Sequence, residues 1–77
     1  MSAAFGESAK AIGSRSMAIG QKTLALAQGA FAGGLSTIAN GDYSHAEGHT
    51  TIAEGHSSHA KGRETFADGN YSHAEGV

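Results

Sequence analysis

Apolar and polar positions along this chain repeat with a strict period of seven. Cut into sevens, the 77 residues give eleven rows with nothing inserted, from MSAAFGE to YSHAEGV, so that columns a to g can be read down them. Column d is alanine throughout: Ala4, Ala11, Ala18, Ala25, Ala32, Ala39, Ala46, Ala53, Ala60, Ala67 and Ala74. Column b holds only Ser, Thr or Ala, and column f is glycine except at Ala27. Most of the larger apolar side chains keep to columns c and e.

A heptad first suggests a coiled coil, and the column contents reject it. Coiled coils place large apolar residues at a and d with charges at e and g. Here column d is alanine, and a glycine in nearly every row would cost a helix about 1 kcal/mol each against alanine. Flexible low-complexity chain is the other simple reading. It gives no reason for alanine to hold one phase from end to end. A short strand closed by a glycine corner fits the columns. Strand side chains alternate between faces, so b and d share one face while c and e share the other. A face limited to Ser, Thr and Ala suits the inside of a flattened solenoid, and the reverse arrangement would bury His45 and Glu47 without partners. The alanine column is therefore expected to line the interior. Gly13, Gly20, Gly41, Gly48, Gly55, Gly62 and Gly69 are expected at turns needing positive φ or close packing.

Seven residues make one strand and one corner, so a full coil takes two rows. Column c supports this. Its even rows read Lys10, Leu24, Ile38, Ile52 and Phe66, whereas its later odd rows read His45, His59 and His73. The expected fold is all-β: a parallel β-roll of 14-residue coils with two short strands each, about five and a half coils and roughly 26 Å long. The whole of 1–77 forms one array, more apolar over 1–28 and more polar over 36–77. Column e changes from Phe5, Ile12, Ile19 and Leu26 to Glu47, Glu54, Lys61, Asp68 and Glu75. That change predicts deeper packing in the first rows, with a local backbone distortion at Gly33 and Gly34.

Composition then raises the question of partners. Much of the 39% apolar content is alanine, and with no cysteine a disulfide cannot staple so small a core. Association is the remaining source of buried area. An outward apolar stripe on a thin solenoid is an interface signal, so Leu24, Ile38, Ile52 and Phe66 are the expected contact residues of an oligomer. The net charge of −2 contains no basic or acidic block, which argues against nucleic acid and anionic membranes. No apolar run is long enough to insert in a bilayer, and MSAAFGESAK does not read as a signal peptide.

At Ser16–Gly20 (SMAIG), Ala11–Gly13 (AIG) and the following S-x-A-x-G rows, the sequence resembles the head repeats of the YadA-like trimeric autotransporter adhesins. The rows Ser44–Gly48 and Ser72–Gly76 (SHAEG) and Ser58–Gly62 (SHAKG) also resemble repeats of phage and prophage fibre proteins. The resemblance covers essentially the whole chain. It implies a left-handed roll packed with two others as a homotrimer on a cell surface or virion fibre. It also implies a non-enzymatic role: binding a host surface or matrix ligand, or serving as a rigid spacer. A self-assembling filament of stacked solenoids is the competing reading.

Candidate chemistry is sparse. Ser44-His45-x-Glu47 has the residue types of a catalytic set, but neighbouring strand residues point to opposite faces, so Ser44 cannot pair with His45. Neither a catalytic residue nor a cofactor is expected. Without close-spaced ligand motifs, the histidines read as polar strand residues and no metal is expected. Should one bind, His45, His59 and His73 are the residues to hold it, with His49 and His56 at corners. Tyr43 and Tyr71 stand at corners as contact points, and Thr37, Thr50 and Thr51 are too irregular for an ice-binding ladder.

Overall fold

The computed structural model describes residues 3–76. Those residues form a parallel β-solenoid with two sheets, and no helix occurs among them. One sheet holds β1 (Ala3–Phe5), β3 (Met17–Gln21), β5 (Phe31–Leu35), β7 (His45–His49), β9 (His59–Arg63) and β11 (His73–Gly76). The other holds β2 (Lys10–Ala11), β4 (Leu24–Ala25), β6 (Ile38–Ala39), β8 (Ile52–Ala53) and β10 (Phe66–Ala67). Every pairing is parallel and steps by one coil of fourteen residues, as in His45↔His59 and Ile38↔Ile52. The Cα envelope measures 26 × 21 × 9 Å.

The thin dimension explains the composition of columns b and d. Face-to-face sheets usually stand about 10 Å apart with large side chains between them, whereas the whole Cα envelope here is 9 Å thick. Ala18, Ala25, Ala32, Ala39, Ala46, Ala53 and Ala60 are completely buried, together with Thr23, Thr37 and Thr51, and Ala67 is nearly so. Ala11 and Ala74 are half-buried and Ala4 is exposed, unlike the interior place expected for it. These less covered alanines all lie in strands at the edges of the two sheets. Ser16 Oγ donates to the Gly13 carbonyl at 2.6 Å and Thr51 Oγ1 to that of Glu47 at 3.2 Å. The hydroxyls of Thr23, Thr37, Ser44 and Ser58 have no such partner.

The two strands of a coil differ in length, which the heptad did not distinguish. Short strands end where two successive amides share one carbonyl: Asn40 N and Gly41 N both donate to Ala53 O, at 2.8 and 3.3 Å. A four-residue turn follows, closed by Ser44 N donating to Gly41 O at 3.1 Å. Gly41 has no unusual φ; it is small because an added Cβ would lie 2.1 Å from the Gly55 carbonyl oxygen. Gly20, Gly48 and Gly62 were expected at turns and instead lie inside β3, β7 and β9. Gly48 has a φ of 115° and keeps its ladder pairing, while an added Cβ would meet the Gly62 oxygen at 1.9 Å.

The left-handed residue of each corner falls in column a, where nothing in the sequence marked it. Arg15, Lys22, Ser36, Tyr43, Thr50, Ser57, Glu64 and Tyr71 all have φ between 55° and 63°. Ordinary side chains pay about 1–2 kcal/mol for that conformation. It aims each amide at the coil before it: Thr50 N donates to Leu35 O and Tyr43 N to Gln28 O, both at 2.8 Å. The ladder thereby continues around the corners.

Gly33 and Gly34 produce no distortion, since β5 runs through them in register with β3 and β7. Gly33 leaves room for a ring, because a Cβ there would meet Phe31 Cε2 at 3.1 Å. Gly29 does the same for Tyr43, whose Cδ1 would stand 2.7 Å from an added Cβ. The deeper packing expected of the first rows is also absent within the chain: Phe5 is 60% and Ile12 66% exposed. Column e points outward, so these side chains can be covered only from outside.

Two substitutions separate the close-packed glycine inside a long strand from the left-handed residue that follows it. Gly48→Ala should lower stability by more than about 3 kcal/mol, because backbone must move to admit the methyl group. Thr50→Asn should raise it by about 0.5–1 kcal/mol, since asparagine tolerates the left-handed region better than a β-branched residue. Urea unfolding followed by circular dichroism measures both.

Candidate functional site

Columns c and e of the long strands form the outer face of the larger sheet, and this face changes chemistry at β7. Below it lie Met17 and Ile19, 39% and 40% exposed, and the half-buried Phe31. Above it lie His45, Glu47, His59, Lys61, His73 and Glu75. Parallel in-register pairing stacks identical columns, so Phe31, His45, His59 and His73 form one continuous ring ladder. Successive ring centroids are 4.5, 4.5 and 4.8 Å apart, and the His45 and His59 planes lie within 12° of parallel.

Each histidine has a residue two positions on, across the same face. Nε2 of His45 lies 2.8 Å from Glu47 Oε1, and Nε2 of His73 lies 2.7 Å from Glu75 Oε1. Both imidazoles can donate to their carboxylates. In the row between them that position is Lys61, and His59 Nε2 is shielded from solvent without a hydrogen-bond partner. Burial, then repulsion from the flanking His45 and His73, pushes the His59 pKa below its ordinary 6.5, with Lys61 adding to the effect and Glu47 opposing it. The hydrogen bond from His73 holds the Glu75 carboxyl below its usual value, helped by the charge on that imidazole.

The sequence-derived candidates fall as follows. His45, His59 and His73 share one face of the larger sheet, and ligand atoms of His45, Glu47 and His59 lie within 4.8 Å of one another. Glu47 was not foreseen as a third donor, although its place two residues after His45 carried the signal. Leu24, Ile38 and Ile52 are half-buried and Phe66 is 54% exposed, all on the outward side of the smaller sheet. Tyr43 and Tyr71 are 54% and 77% exposed and flank His56 edge-on, at centroid distances of 5.9 and 6.0 Å. Thr37 and Thr51 are buried inside the roll, whereas Thr50 stands at an exposed corner. Ser44 is 1% exposed and turned inward, on the opposite face from His45, so the two cannot act as nucleophile and base. A shallow hollow beside Ser8, Lys10, Lys22 and Leu24 contains neither an acid nor a histidine.

A comparison with family models finds the YadA head domain repeat (2 copies) at residues 1–23, 11–37 and 32–58. The chain belongs to the YadA head family. The family is one of structural, adhesin-type heads. No curated protein and no solved structure matches the chain. The YadA head repeats continue in phase beyond residue 58, since His59–Arg63 and His73–Gly76 add two further strands to the same sheet. Among the described residues, no helix is long and apolar enough to cross a membrane.

The lowered His59 pKa fixes the sign of a pH effect. The unfolded chain takes up a proton near pH 6.5 that the folded chain resists, so acid favours unfolding. Stability from this group is present above that value and is lost as pH falls from it toward the lowered folded pKa. With a chelator present, the melting temperature should drop between about pH 7.5 and 5.5, and His59→Gln should flatten the profile. A profile equally steep in both proteins would contradict this.

Proposed function

We propose that the chain forms part of a trimeric head or rigid spacer in a surface or virion fibre, acting outside the cell. The single observation that carries this reading is the outward apolar stripe of Leu24, Ile38, Ile52 and Phe66 along the smaller sheet. An interior of alanine, serine and threonine buries little apolar area, so the remaining hydrophobic gain lies on the outside. Three rolls joined along such stripes would cover them and leave the histidine-bearing sheet turned outward. Family membership supports the same assembly. The outer sheet and the Tyr43 and Tyr71 corners would then present one polar pattern repeatedly along a stiff rod. Weak contacts with a host surface or matrix ligand would be multiplied across coils and chains.

Sedimentation equilibrium tests the assembly first. The expected mass is three times the 7.7 kDa chain, and Ile38→Asp with Ile52→Asp should release monomers by burying uncompensated charge. A parent protein that sediments as a monomer refutes the trimer, and filaments under electron microscopy favour the purely structural alternative. Binding to immobilised matrix proteins and glycans then separates a head, which binds, from a spacer, which does not.

A further inference from the structure

We propose that His45, Glu47 and His59 form a binding site for one divalent transition-metal ion of the Zn²⁺ or Ni²⁺ class on the outer face of the larger sheet. The geometry follows from the ladder. His45 and Glu47 stand two residues apart on β7 and therefore share a face. His59 is the direct Cα partner of His45 on β9. Their ligand atoms already lie within 4.8 Å of one another. Two imidazole nitrogens and a carboxylate oxygen suit these ions, with water completing the shell.

Side-chain torsions alone separate the present arrangement from a closed site. Zinc at about 2.0–2.1 Å from each donor draws tetrahedral ligand atoms to roughly 3.3 Å apart. His45 Nε2 and Glu47 Oε1 are nearer than that, at 2.8 Å. The ion would take the place of the proton between them, the neutral His45 imidazole then carrying its single proton on Nδ1. The stacked His45 and His59 rings, 4.5 Å apart, must splay so that both Nε2 edges reach one point. The backbone beneath them is held by pairing on both sides, so this adjustment does not disturb the roll.

A second observation singles out this level of the ladder. His59 alone in its column, among the described residues, faces a lysine where His45 and His73 face glutamates. Its Nε2 is enclosed yet unpartnered, which leaves that nitrogen without a hydrogen-bonding role in the metal-free fold. The same enclosure favours the neutral imidazole that a metal requires. Lys61 opposes binding as a nearby cation, but it is exposed, and its long stem lets the ammonium swing into solvent.

Isothermal titration of the intact chain with ZnCl₂, in chelator-free buffer near pH 7.5, tests the site. One ion per chain is expected, with affinity falling at least about tenfold in His59→Ala and in Glu47→Gln. His73→Ala, outside the donor set, should stay within about threefold of the parent. Lys61→Glu removes the opposing charge and adds a donor, so it should tighten binding, and it reads out the site even if His59→Ala fails to fold. Absence of heat, unchanged affinity in a folded His59→Ala, or one ion shared among three chains would overturn the proposal. The last result would place the histidines around a symmetry axis instead.

Discussion

The narrowness of the roll is the constraint on which the rest depends. Two sheets and two corners share a Cα envelope only 9 Å thick, so the interior admits a methyl or a hydroxymethyl group and little more. Burying such groups contributes roughly 0.8 kcal/mol per methylene equivalent, much less than a leucine core would. Cohesion therefore rests on the main chain. Each coil repeats the hydrogen bonds of the one before it at a separation of fourteen residues, around the corners as well as along the strands. Alanine at column d and glycine at column f are what allow the backbones to come close enough for that ladder to close.

The same ladder explains why ordinary residues tolerate a left-handed conformation in column a. Each corner costs about 1–2 kcal/mol, but it points an amide at a carbonyl of the preceding coil instead of at the enclosed interior. An unpaired buried amide would cost a comparable amount or more. Keeping a side chain at the corner also lets it cover a neighbour, as the Tyr43 ring covers Gly29. Glycine there would remove the strain and the cover together.

The sequence exposed this fold unusually well because the repeat is exact and the faces alternate. The inward placement of Thr37, Thr51 and the central alanines follows from column contents alone, as does the fourteen-residue step shown by Leu24, Ile38 and Ile52. The unequal strands did not follow, since Gly41 and Gly48 occupy the same column, yet the first lies at a turn and the second inside a strand. Nor did the left-handed column, because serine, lysine, tyrosine and glutamate share no signature for it. The histidine face was legible as a column but not as a site. Whether Glu47 meets His45 depends on side-chain torsions that a spacing does not specify, and Phe5 and Ile12 show the converse error. Their hydrophobicity suggested depth, whereas strand alternation places them outside.

An array of identical coils can act in two ways, and the sequence contains both. Where the repeat is kept, as along Leu24, Ile38, Ile52 and Phe66, every level offers the same surface and the effect accumulates along the rod. Where it is broken, one level becomes unlike the others. Gly29 and Gly33 depart from their columns and each makes room for an aromatic ring. Lys61 departs from the acidic later rows of its column and leaves His59 without the carboxylate that His45 and His73 have. Because translation along the ladder otherwise makes all levels equivalent, chemical singularity in this fold must come from such departures. Substitutions at Lys61 and Glu47 therefore address an individual site, whereas substitutions along a conserved-phase column address the rod as a whole.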